Sequence, residues 1–225
     1  MREVMVQYLP HRLLQWFDET QRIFPWREDR ATKYQQIVSE ILLQRTKAET
    51  VAKYYDTFFS KFPDWNALAN ASLEELEEIM KPLGLYHHRA RRLYKLGEDI
   101  RRRGGRIPGD ENELRDSGFI GLYVTNAFEL FILKNRKPLL DVNMSRLLKR
   151  YFKPGDFIDV RHDKEIQELA NDIIEVRRCK ELNWAILDYA ALVCKVRNPL
   201  CGKCVLNKYC RYYELFQGDV TEKPE

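Results

Sequence analysis

The stretch CKVRNPLCGKCVLNKYC, Cys194 to Cys210, sets four cysteines in the spacing C-x6-C-x2-C-x5-C. Thiolate sulfur is a soft donor that selects zinc or iron–sulfur over oxygen-loving ions, so Cys194, Cys201, Cys204 and Cys210 read as one metal site. Structural zinc sites usually pair two short C-x2-C knuckles, and this run has one. Iron–sulfur clusters are held by runs of unequal gaps, which favours a cluster here. Zinc stands second. A disulfide framework stands third, because five cysteines leave one odd and no signal peptide precedes them. Cys179, the fifth thiol, reads as a small buried filler and not as a ligand.

Working outward, 225 residues suffice for a substantial core in one domain or two small lobes. The 44% hydrophobic and 32% charged fractions are those of a globular chain and argue against disorder. The longest apolar runs, such as Ala190 to Cys194, are too short to span a bilayer, and no secretion signal opens the chain. The expected compartment is the cytoplasm. The net charge of +4 is modest but uneven. Between Arg89 and Arg106 eight basic residues stand against two acids, Glu98 and Asp99. A helix there presents either a phosphate-binding face or a solvated one whose arginines complement the helix dipole. Charge alone does not decide between them.

Apolar residues recur at helical spacing, as in Tyr34, Ile37, Val38, Ile41 and Leu42, while alternating runs are scarce. The expected fold is all-α, with helices near 10–20, 32–46, 47–60, 72–79, 87–103, 121–133, 142–151, 163–176 and 181–193. No internal repeat is visible, and the acidic end after Gln217 reads as a loose tail.

From about Leu13 to Tyr213 the chain resembles the helix-hairpin-helix DNA glycosylases of the endonuclease III superfamily. The cysteine spacing is similar to that of their [4Fe-4S] cluster. Phe24-Pro25-Trp26-Arg27 followed by Ser39-Glu40-Ile41-Leu42-Leu43-Gln44-Arg45-Thr46 resembles the amino-terminal signature of adenine DNA glycosylases and archaeal-type thymine (G:T mismatch) DNA glycosylases. Gly84-Leu85-Tyr86 resembles a strand-separating wedge. Leu140-Asp141-Val142-Asn143, with Arg146, Arg150, Tyr151 and Phe152, resembles the segment bearing the catalytic aspartate.

The resemblance implies two helical lobes flanking a DNA-binding cleft. Residues 22–133 would form a six-helix barrel with the hairpin, and residues 1–21 with 134–225 the cluster lobe. It also implies a monomer acting on double-stranded DNA that carries a mismatched or damaged base. Asp141 would stabilise the oxocarbenium-like sugar, and Glu40 would assist departure of the base. Read alone, Asp141 is more readily an N-cap and Glu40 a surface residue. Base flipping is required, because the scissile bond is hidden in stacked duplex. Gln44 would fill the vacated space, with Arg45 and Asn143 also at the DNA, and Leu85 or Tyr86 would insert beside the orphaned partner; ordinary core packing is the plainer reading of the last two.

The hairpin departs from the family's Leu-Pro-Gly-Val-Gly turn, since Ser117-Gly118-Phe119-Ile120-Gly121 stands in its place. Gly118, Ile120 and Gly121 are the expected phosphate contacts. Two residues beyond the second glycine, bifunctional members carry a Schiff-base lysine, and this chain has Tyr123. The implied activity is a monofunctional glycosylase. Tyr123 favours thymine or uracil opposite guanine, as does a chain ending 15 residues beyond Cys210 without an added recognition domain. Adenine excision, a modified pyrimidine, and a non-enzymatic DNA-binding module with a degenerate hairpin are the alternatives.

Overall fold

Residues that repeat apolar side chains every three or four positions form helices here, and several of those helices begin at a capping side chain. The computed structural model describes residues 1–20, 22–84, 86–110, 112–113, 121–154, 159 and 163–215. Among them all regular structure is helical, as expected. The chain divides into two compact units, Ile23–Asn135 and Met1–Arg22 joined with the chain from Arg136 onward.

The middle unit contains α2 (Lys33–Leu43), α3 (Ala48–Lys61), α4 (Trp65–Ala69), α5 (Leu73–Met80), α6 (Tyr86–Arg102) and α7 (Leu122–Phe128). Thr32 opens α2 with a capping box: its hydroxyl accepts from Gln35 N at 3.2 Å, and Gln35 Oε1 accepts from Thr32 N at 2.9 Å. Ser72 and Glu75 do the same for α5, and Asp64 caps α4. Their apolar faces enclose an aromatic-rich core in which Phe24 and Trp26 stack at 4.7 Å and buried Tyr34 donates to the Phe62 carbonyl at 2.8 Å. Helix α6 packs on α4 and α5. It approaches α4 closely through Gly97, where an added Cβ would stand 2.7 Å from the Leu68 carbonyl oxygen.

The other unit contains α1 (Arg2–Thr20), α8 (Val142–Phe152), α9 (Lys164–Ile174) and α10 (Cys179–Leu192). Met5, Leu9, Leu13 and Phe17, buried at every fourth position, seat α1 on α9 and α10. Trp16 meets Tyr189 edge-on at 4.8 Å. Fully buried Asn183 pins the segment leading into α8: its Oδ1 accepts from Leu139 N at 2.6 Å while its amide donates to the carbonyls of Lys137 and Cys179.

Four expectations need correction. Helix α1 starts at Arg2 and not near residue 10, because the apolar repeat runs through Pro10, which sits buried inside the helix. Helix α2 stops at Leu43, because Arg45 adopts a left-handed φ of 60°. The five-residue α4 was not expected, being too short to show a period. Beyond Phe128 the helix widens into a π turn over Glu129–Leu133 that ends at left-handed Lys134.

Gly97→Ala is expected to destabilise the protein by about 1–3 kcal/mol, although alanine favours helix by about 1 kcal/mol, because the clash is with backbone. Denaturant melts of the two proteins measure it.

Candidate active site and metal centre

Helix α2 is buried along most of its length, and Glu40 lies on it with 2% of its surface exposed. A carboxylate so placed requires a donor. Tyr123, in the first turn of α7, supplies one: its hydroxyl donates to Glu40 Oε2 at 2.6 Å. Eighty-three residues separate the two in sequence. Packing of α7 against α2 brings them together. Tyr123 is thus half-buried with its hydroxyl engaged, and Glu40 is not a surface residue.

Gln44 is the C-cap of α2, its carbonyl and side chain facing α6. Its backbone oxygen accepts from Arg89 and its Oε1 from Arg92. Arg45 is exposed. Gly84, at φ 68°, makes the turn before α6, a conformation that favours glycine. Tyr86 opens α6 and packs partly against the core, its ring centred 4.0 Å from that of His87. Core packing therefore accounts for part of Tyr86. Leu85 lies outside the described residues, as do Ser117, Gly118, Phe119 and Ile120. Gly121 is exposed and is the N-cap of α7.

In the other unit Asp141 caps α8. Its Oδ1 accepts from the amides of Asn143 and Met144, both at 2.8 Å, and its Oδ2 from Asn143 Nδ2 at 2.6 Å. Asn143 is held in turn by Arg146, whose Nη1 donates to Asn143 Oδ1 at 3.0 Å. Arg146 also reaches the carbonyls of Cys194 and Ala190 at 3.0 and 2.8 Å. Desolvation raises the Asp141 carboxyl above the usual aspartate range, against the lowering effect of these hydrogen bonds and the Arg146 charge. The carboxylate expected to act on the sugar is thus also the N-cap of α8.

The cysteine loop follows α10, and the thiols of Cys194, Cys201, Cys204 and Cys210 are all free. Tyr189 donates to Cys204 Sγ at 3.1 Å and accepts from Val205 N at 2.8 Å. Arg150 Nη1 stands 3.6 Å from Cys194 Sγ and donates to the Lys195 carbonyl at 2.6 Å. Hydroxyl and guanidinium donors aimed at sulfur suit thiolate ligands. Burial pushes the Cys204 thiol up and the Cys210 thiol up to about 11, and the positive charge of a bound cluster would favour their thiolate forms. Cys179 lies buried in the first turn of α10 beside Asn183, its thiol also raised to about 11 by burial.

A profile of the HhH-GPD superfamily base excision DNA repair proteins matches residues 38–176. The chain belongs to that superfamily. The iron–sulfur binding domain of endonuclease III matches residues 194–210, and this HhH-GPD protein carries a [4Fe-4S] cluster. It is 34% identical to the thymine-DNA glycosylase of Aeropyrum pernix, over 92% of this chain and 95% of that one. It is 32% identical to the thymine/uracil-DNA glycosylase of Methanothermobacter thermautotrophicus over 90% and 91%. It is also 31% identical to the adenine DNA glycosylase of Mus musculus, over 94% of this chain but 43% of that protein. Among solved structures, a thermostable thymine-DNA glycosylase superposes with a TM-score of 0.85 at 30% identity, covering 95% and 99% of the two chains. The HhH-GPD protein is a DNA glycosylase of base excision repair, and its substrate is DNA. No described helix is long and apolar enough to cross a membrane.

Sequence reasoning missed two polar residues. Arg89 was hidden in the basic run, which reads as a surface, yet it is 4% exposed. Asn183 carried no local signal, because two of its partners, Leu139 and Lys137, lie 44 and 46 residues away in sequence. Anaerobically purified protein is expected to be brown, with about four irons per chain. Iron and zinc analysis checks this, and stoichiometric zinc would contradict it.

Proposed function

We propose that this glycosylase removes thymine or uracil mispaired with guanine and leaves an intact abasic strand. The observation that carries the reading is the 2.6 Å hydrogen bond from Tyr123 to Glu40. By resemblance, position 123 is that of the Schiff-base lysine of bifunctional enzymes. A phenol cannot form a Schiff base, and here it is already committed to holding a carboxylate. The thymine and thymine/uracil specificity in its relatives' names supports the same substrate class.

In this reading Asp141 acts as a carboxylate at the sugar, stabilising the positive charge that develops as the N-glycosidic bond breaks and orienting the water that attacks. Asn143 and the α8 amides fix both of its oxygens. Glu40, held by Tyr123, hydrogen-bonds the departing base and eases its release. Gln44 fills the space left by the flipped nucleotide, Leu85 or Tyr86 inserts beside its orphaned partner, and Arg45 contacts the DNA. Gly118, Ile120 and Gly121 receive a phosphate, and one chain serves one lesion. The middle unit corresponds to the barrel lobe and the other to the cluster lobe. Cys194, Cys201, Cys204 and Cys210 hold the cluster, which braces the loop that Arg146 and Arg150 grip.

A panel of labelled duplexes tests the substrate and the reaction type together. G:T and G:U duplexes are expected to be processed faster than adenine opposite guanine or oxidised guanine. Strands should break only after alkali, and borohydride should trap no adduct. Faster adenine release would favour the second reading, which the similarity to adenine DNA glycosylases motivates. Asp141→Asn is expected to lower single-turnover excision by roughly 10²–10³-fold while retaining DNA affinity. The raised Asp141 carboxyl fixes the sign of the pH effect: protonation removes the active form, so the rate falls on acidification through a midpoint above the ordinary aspartate value of about 3.9. A single-turnover pH profile measures it.

A further inference from the structure

Among the described residues buried Arg89 has no carboxylate partner, an expensive place for a charge. Both of its terminal nitrogens are nonetheless directed at two turns. Nη1 donates to the Leu83 carbonyl at 3.2 Å, and Nη2 donates to the Gln44 carbonyl and to the Thr46 hydroxyl. Thr46 Oγ1 itself donates to the Leu83 carbonyl at 3.4 Å. These acceptors are uncharged, so neutralisation is not what the guanidinium provides. Its planar fork offers several donors at fixed angles, which a lysine ammonium cannot match.

The turns it joins are the exit from α2, Gln44–Thr46, and the entry to α6, Leu83–Gly84. Each holds a residue at positive φ, Arg45 at 60° and Gly84 at 68°. A left-handed non-glycine residue persists only where its surroundings over-determine it. Arg89 supplies such a restraint on both sides of Arg45. We infer that Arg89 is a positioning residue that fastens the Gln44–Thr46 turn to the Leu83–Gly84 turn, so that side chains from both enter the duplex at one fixed spacing. The inference rests on the reading of Gln44 and Tyr86 as the residues that displace the base.

The test begins on the free protein, where no DNA is needed. The amides of Gln44, Thr46 and Gly84 are hydrogen-bonded to Ile41, Leu43 and Lys81 and report on the two turns. In Arg89→Met they are expected to exchange roughly tenfold faster together, while amides of α3 keep wild-type rates. The second readout is 2-aminopurine placed beside a mismatch, in an Asp141→Asn background. Its fluorescence rise on binding should be lost in Arg89→Met, with affinity for matched duplex within about threefold of wild type. Thr46→Val removes one acceptor at a half-buried site and should give the same pattern at a few-fold amplitude, which keeps the test open if the Arg89 variant does not fold. Unchanged exchange and unchanged unstacking in the folded variants would overturn the proposal. Coupled exchange with no fluorescence rise even in the parent would leave the tether standing and sink the assigned role of Gln44 and Tyr86.

Discussion

An α-helix leaves its first N–H groups and last carbonyls without internal partners, and in this chain several of the expected site residues stand at those ends. Asp141 meets the need at the start of α8 and holds a carboxylate in position by doing so. Gln44 closes α2 with a carbonyl that receives Arg89. Tyr123 sits in the first turn of α7, and the cysteine loop begins where α10 ends. Satisfying the backbone and presenting a functional group are therefore one structural act at several points in the fold.

The buried polar groups follow the same economy. Glu40 is tolerable on a buried helix because Tyr123 donates to it, and Asn183 because three backbone groups surround it. Asp141 differs: it keeps three hydrogen bonds, yet desolvation still raises its carboxyl. A carboxylate held in place but incompletely stabilised is suited to meeting a developing cation, since the field it offers needs no rearrangement when the charge forms.

Much of this was legible in the sequence. The 17-residue cysteine loop named its own metal chemistry, and the apolar repeats of α2, α8 and α9 marked those helices to within a few residues. The pairing of Tyr123 with Glu40 was not legible from local pattern, because residues 83 apart meet only through packing. Arg89 was misleading for a different reason. Burial is a property of its face of α6, and neighbouring arginines at 91 and 92 point the same composition outward. The early end of α2 escaped notice because arginine gives no hint of a left-handed backbone.

Gly97 has reach beyond its own contact. Helix α6 is a stiff rod, and the absence of a side chain at Gly97 lets that rod lie close against α4. Tyr86 sits at the tip of the same rod, eleven residues away, or about 16 Å at 1.5 Å per residue. A hydrogen atom on the shaft of the lever thus bears on how its tip is carried, through a residue that has no side chain of its own to contribute.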